Sequence, residues 1–168
     1  ITANKTLNRQ QQLDQCAVCH SGNDKRKIQS RFMFRPGDLL ANYFLPAVVA
    51  DSTRHFDVHG NQFNLLKKSR CFLKSNSITC STCHNPHGNA AMPAAVYAQK
   101  CMGCHQEGSA DFCTVKNIAV AELKANCTDC HMPLETSDAI SFRVSGSAAV
   151  SSYLLRSHRI AVYKETKK

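Results

Sequence analysis

One five-residue pattern, Cys-x-x-Cys-His, occurs four times in this chain of 168 residues. Two thiols three residues apart, followed directly by an imidazole, are the signature of covalent c-type haem attachment. The two cysteines hold the porphyrin through thioethers, and the histidine supplies the proximal nitrogen to its iron. We therefore expect four haem c groups. The copies are Cys16-Ala-Val-Cys19-His20, Cys80-Ser-Thr-Cys83-His84, Cys101-Met-Gly-Cys104-His105 and Cys127-Thr-Asp-Cys130-His131.

Zinc sites and a disulfide framework are the alternatives for so many cysteines. Neither gives a reason for a histidine after every second cysteine. The composition also favours haem, since Leu, Ile, Val and Phe together make only 36 of 168 residues and there is no Trp. Side chains alone would build a thin core, and buried porphyrins would add the missing apolar contact area. We expect the chain to fold only with its haems attached.

Four histidines lie outside the motifs and are the candidate distal ligands. Four haems have eight axial positions and the chain has eight histidines, so the count closes if every iron is bound by two histidines. Met33 and Met92 are the competing soft ligands. The candidate distal histidines are His55, His59, His87 and His158.

The sequence positions of these histidines limit which haem each one can reach. His87 follows His84 by three residues, so it is tied to the proximal side of that haem and is expected to ligate a neighbouring one. His55 and His59 are four residues apart and would share one face if the segment were helical. His158 lies far along the chain, and it would either fold back over a haem or ligate one in a neighbouring subunit.

The motif spacing predicts a single domain over residues 1–168, with a haem 1 region at 10–60 and a compact three-haem block at 61–160. The expected fold class is mainly α with much irregular structure, packed around four covalently bound haems. Good helix formers with apolar periodicity predict helices ahead of the last two motifs. The predicted helices lie within 61–73, 92–105 and 117–131, a short strand is predicted within 139–146, and the two polar ends, 1–12 and 163–168, are expected to be loose.

Two cysteines, Cys71 and Cys113, are left outside the motifs. Haem c is attached outside the cytoplasm, so we expect a periplasmic or extracellular location in a prokaryote. An even number of spare cysteines in an oxidising compartment favours a disulfide between them. Two separate buried thiols are the alternative.

The net charge and the longest apolar run limit the kinds of partner that we expect for this chain. The polypeptide is formally +9, but two propionates on each haem would bring this to roughly +5 when oxidised and +1 when reduced. Lys and Arg are scattered, so nucleic acid is not an expected partner. The longest apolar run, residues 39–50, is broken by Asn42 and Pro46 and predicts no membrane span. The chain starts at Ile1, which is expected of a processed form or of a piece of something longer.

Several stretches together resemble multihaem c-type cytochromes of the cytochrome c-552/c-554 type, in the superfamily that includes hydroxylamine oxidoreductase and pentahaem nitrite reductase. The resemblance covers about residues 10–160 and the C-terminal part of those proteins. Relatives tend to carry histidines where this chain has Cys71 and Cys113, which implies a disulfide in their place. Some tetrahaem cytochromes of this size form extracellular filaments. The stretches are QCAVCHSG, PGDLLANYFLP, HGNQF, SITCSTCHNPHG, CMGCHQ, NCTDCHMP and SHRI.

Closed, closely packed haems with two histidine ligands predict electron transfer. The expected partners are redox proteins and, in a homo-oligomer or filament, further copies of the chain with haem-to-haem contact. The alternative is a reductase of a small nitrogen or sulfur oxyanion, which needs one open iron with acid and base groups beside it. A Cys-x-x-Cys-Lys motif is absent from the sequence, and no catalytic residue is predicted.

Overall fold

The structure is a computed structural model and describes residues 2–22, 25–45, 55–88 and 92–163. The described chain is partly helical, with short helices joined by irregular segments and a small two-stranded sheet. The expected helical and irregular character is therefore confirmed, while packing around four haems stays a prediction. The helices are α1 Arg9–His20, α2 Gln62–Leu66, α3 Arg70–Lys74, α4 Cys80–Cys83, α5 Ala94–Met102, α6 Val120–Ala125 and α7 Cys127–His131, and the strands are β1 Leu134–Arg143 and β2 Val150–Arg156.

The expectation of a loose start is wrong, because α1 begins at Arg9 and runs into the first motif. Its start is fixed by a reciprocal pair of hydrogen bonds. The Gln11 amide donates to the Asn8 side chain (2.9 Å), and the Asn8 amide donates to the Gln11 side chain (3.0 Å). This capping box satisfies two amides at the helix start and compensates for a segment with few apolar residues.

The predicted helix within 92–105 is confirmed by α5, but the other two predicted helices are each divided into shorter ones. α2 and α3 are separated by a turn at 67–69, and α6 and α7 by Asn126. Asn126 has φ −119° and ψ 24°, outside the helical region. Despite the break at Asn126, α6 and α7 both contact α5.

The apolar core lies in the first half of the chain. α1 packs on α2 and on the segment around Leu40, and the side chains between them form one cluster. Beyond residue 73, the buried apolar residues of the described chain are reduced to Ala98. The cluster consists of Leu13, Ala17, Leu40, Tyr43, Phe44, Phe63, Leu66 and Phe72.

The short strand predicted within 139–146 is part of a longer antiparallel hairpin. β1 pairs with β2 from Leu134–Arg156 at one end to Arg143–Val150 at the other, and the register shifts between Thr136 and Ser141. The hairpin follows α7 directly, and its end lies back at the fourth motif. There the Arg156 guanidinium donates to the carbonyls of Thr128 (3.2 Å) and Met132 (3.0 Å). The helices of the described residues include none with the length and hydropathy of a membrane span.

Candidate functional site

All four Cys-x-x-Cys-His motifs lie on or at the end of a short helix. One helical turn places residues i, i+3 and i+4 on the same face, so the two thiols and the imidazole of a motif point the same way. The turn is closed by the histidine amide, which donates to the carbonyl of the first cysteine. This bond is 2.9 Å from His84 to Cys80 and 3.0 Å from His105 to Cys101. The local fold therefore presents both thioether positions and the proximal ligand together.

Two motif histidines have one ring nitrogen fixed by a main-chain carbonyl. His105 Nδ1 lies 2.6 Å from the Asp111 carbonyl, and His131 Nδ1 lies 2.8 Å from the Ala161 carbonyl. A carbonyl oxygen only accepts, so Nδ1 carries the proton and Nε2 keeps its lone pair. This is the usual arrangement of an imidazole that binds a metal, because the outer hydrogen bond orients the ring and raises its basicity. The motifs thus fit the haem that their sequence predicts.

The motifs meet in chain order. α1 contacts α4, α4 contacts α5, and α5 contacts α6 and α7. The thiols of Cys16 and Cys80 are hydrogen-bonded to each other. Those of Cys101 and Cys127 interact, although each donates to a main-chain carbonyl, of Tyr97 (3.7 Å) and Leu123 (3.4 Å) respectively. Cysteines of the first and second motifs, and of the third and fourth, are therefore neighbours, and groups attached to them would be close enough to exchange electrons with one another.

The thiol contacts change the acidity of the cysteines before any attachment. The hydrogen bond from Cys80 lowers the pKa of Cys16 to about 7, against the opposing effect of burial. The same bond, together with burial, raises the pKa of Cys80. Burial and the neighbouring Cys127 raise the pKa of Cys101 to about 11. Cys16 is therefore the more readily ionised thiol of the Cys16–Cys80 pair.

His158 lies beside the proximal histidine of the second motif. The ring centroids of His84 and His158 are 5.8 Å apart, and the ring planes differ by 23°. Two histidines that ligate one haem iron from opposite sides would also lie near each other, with a nitrogen of each ring directed at the metal. The stacked contact therefore brings a candidate distal histidine next to a motif histidine.

The protonation of this pair also suits metal binding. Burial, followed by the charge of His20, lowers the pKa of His84, and burial followed by the charge of His84 lowers that of His158. A lowered pKa favours the neutral ring, which is the form that ligates a metal. His158 Nδ1 is 3.4 Å from the Arg156 carbonyl, which leaves its Nε2 free.

The other three candidate distal histidines are exposed side chains. The idea that His55 and His59 share a helical face is not met, because 55–57 is irregular and 58–60 is a turn. His55 lines a cavity of about 90 Å³ together with Arg159 and Tyr163. His87 lies in a turn, and its amide donates to the Asn85 side chain (3.0 Å). Their role as distal ligands stays a prediction.

Asp57 anchors the segment that carries His55 and His59 to the hairpin. Its carboxylate accepts from the Ser137 hydroxyl (2.9 Å) and from the amides of Asp138 (2.6 Å) and Ala139 (3.3 Å), where the register of β1 shifts. Partial burial opposes ionisation, but these bonds and one from the His59 amide outweigh it and lower the pKa of Asp57. Sequence reasoning missed this residue, because a lone aspartate carries no signal of a partner 80 residues away.

We expect Asp57→Asn to lower the free energy of unfolding by about 1 kcal/mol, because an amide cannot accept all the bonds that the carboxylate accepts. Denaturant unfolding of the haem-loaded protein measures the change. Asp138→Asn is the matched control, since Asp138 is exposed and only its backbone amide takes part. Equal stability of Asp57→Asn and the unmodified protein would contradict the anchoring role.

The two spare cysteines are not joined in the structure, where all ten cysteines are free thiols. The pKa of Cys71 is raised by burial, and Cys104 adds to the effect. The disulfide between Cys71 and Cys113 stays a prediction. A zinc site would need several ligands together, and no group of three His, Cys, Asp or Glu side chains suited to a metal occurs in the part of the chain that the structure describes.

The comparison with known families agrees with the motif geometry. The family model described as the doubled CXXCH motif matches residues 74–110, which contain the second and third motifs. No match was found among curated proteins or among solved structures. Since each Cys-x-x-Cys-His motif is a signature of c-type haem attachment, the match indicates haem c binding and suggests a multihaem c-type cytochrome.

Proposed function

We propose that the protein transfers electrons through four closely packed c-type haems, each bound by two histidines. The observation that carries the proposal is the contact of successive motifs in chain order, from α1 through α4 and α5 to α7. Haems attached to neighbouring helices form a continuous path, and the protein tunes each potential through burial and hydrogen bonds to the ligands. The main-chain carbonyls that accept from His105 and His131 provide two such hydrogen bonds to ligands.

The proposal includes redox proteins as partners and a location outside the cytoplasm, where haem c is attached. The position of His158 beside His84 favours a distal ligand from the same chain at this motif. If copies assemble with haem-to-haem contact, as in a filament, the ligand donated between subunits would come from the exposed histidines His55, His59 and His87. Each of these would then become buried on assembly.

We expect the mature protein to carry four covalent haems. Intact mass spectrometry should give the polypeptide plus four haems, and the pyridine haemochrome assay should give the same ratio. Ferric spectra should be entirely low-spin, because two histidines close each iron to substrate. A bare polypeptide mass would overturn the proposal, and a high-spin iron that binds nitrite in the folded protein would favour an oxyanion reductase.

A further inference from the structure

The C-terminal strap, residues 157–163, touches two haem motifs at once. His158, within it, faces His84 of the second motif. Ala161 forms a reciprocal pair with His131 of the fourth motif, since the Ala161 amide donates to the His131 carbonyl (3.2 Å) and the Ala161 carbonyl accepts from His131 Nδ1. The strap has no helix or strand of its own, so its position depends on the groups that hold it.

Ser69 holds the middle of the strap. Its hydroxyl donates to the His158 carbonyl (3.1 Å) and accepts from the Ile160 amide (2.8 Å). These two bonds lie between His158 and Ala161, the two strap residues that meet haem motifs. Ser69 is completely buried, so water cannot replace either bond.

The position of Ser69 at the start of α3 makes this use of its hydroxyl unusual. A serine at a helix N-cap ordinarily accepts a hydrogen bond from an amide in the first turn. Ser69 is the N-cap residue of α3, yet its side chain makes no such bond. Its hydroxyl instead forms hydrogen bonds with a segment about 90 residues further along the chain.

We propose that Ser69 is a positioning residue for two haem sites, through the strap that it holds. It keeps His158 opposite His84, and it keeps the Ala161 carbonyl on His131 Nδ1. The inference rests on the proposed function, because it concerns ligands to the haems at the second and fourth motifs. The first and third motifs do not touch the strap through hydrogen bonds in the described structure.

The test is the ferric electron paramagnetic resonance spectrum of the haem-loaded Ser69→Ala variant. We expect the signals of the haems at His84 and His131 to shift. The signals of the other two haems should stay unchanged. The high-spin fraction of the His84 iron should rise at least about tenfold, since the loss of one buried hydrogen bond is worth about that factor and the variant loses two. Ser69→Thr keeps the hydroxyl and is expected to keep the signals of the unmodified protein.

Ser75→Ala is the matched control, because Ser75 ends the same helix and its hydroxyl accepts from the amides of Ser77 and Ile78 (3.2 Å each) without touching the strap. It should leave all four signals in place. A Ser69→Ala variant that loses stability but keeps four unchanged signals would overturn the inference, as would equal shifts in Ser69→Thr or Ser75→Ala. Intact mass of the unmodified protein separates the two failures, since a protein without four haems refutes the proposed function itself.

Discussion

Replacing His158 by alanine is expected to leave one of the four haem irons without its sixth ligand. His158 is stacked beside His84, so it is the candidate distal histidine that the structure brings to a motif. The ring is partly buried, and its removal would leave the iron with water or an empty site. We expect one high-spin ferric signal for every three low-spin ones, and binding of carbon monoxide to one reduced haem in four.

Two further variants test whether the effect comes from the loss of the His158 ligand. Arg159→Ala removes the next side chain of the strap, which is exposed, and should leave four low-spin haems. His158→Met supplies another axial ligand, so that iron should stay low-spin with a raised reduction potential. Four low-spin haems in His158→Ala would mean that the two rings are only in aromatic contact, and that the His84 iron takes its ligand from elsewhere.

Loss of the third haem is expected to unfold the second half of the chain. Apart from Ala98, the described residues after 73 contribute no buried apolar side chain to the core. We therefore expect α5, α6 and α7 to depend on attached porphyrins for apolar contact. In a variant with Cys101→Ala and Cys104→Ala, the mass should show three haems, and amides throughout these helices should lose their protection from hydrogen exchange.

The first half of the chain provides an internal reference. α1 packs on a side-chain cluster of its own, so its amides should stay protected in the same variant. Met102→Leu is the matched control, since it changes the same motif but keeps both thiols and His105. Native protection of α5 to α7 in the double variant would show that these helices are stable without the third haem, contrary to the expectation.

Local patterns in the sequence predicted local structure well. The motif places two thiols and an imidazole on one helical turn whatever the surrounding fold, and each motif is found on or beside such a turn. The predicted helix within 92–105 is present as α5, and the predicted strand is part of β1. The local failures are α1, where three consecutive glutamines concealed a capping box at Asn8 and Gln11, and the helices predicted within 61–73 and 117–131, which are each divided in two.

Sequence alone determined the chemistry of this protein, because thioether attachment and proximal ligation need only five consecutive residues. By counting, it also predicted four histidines as the distal ligands, with Met33 and Met92 as the competing residues. Tertiary structure decided that His158 meets the second motif, since the 73 residues between His84 and His158 carry no local signal of how the chain returns. The hairpin and the buried hydroxyl of Ser69 bring His158 back, and contacts of that kind depend on the whole fold rather than on any local pattern.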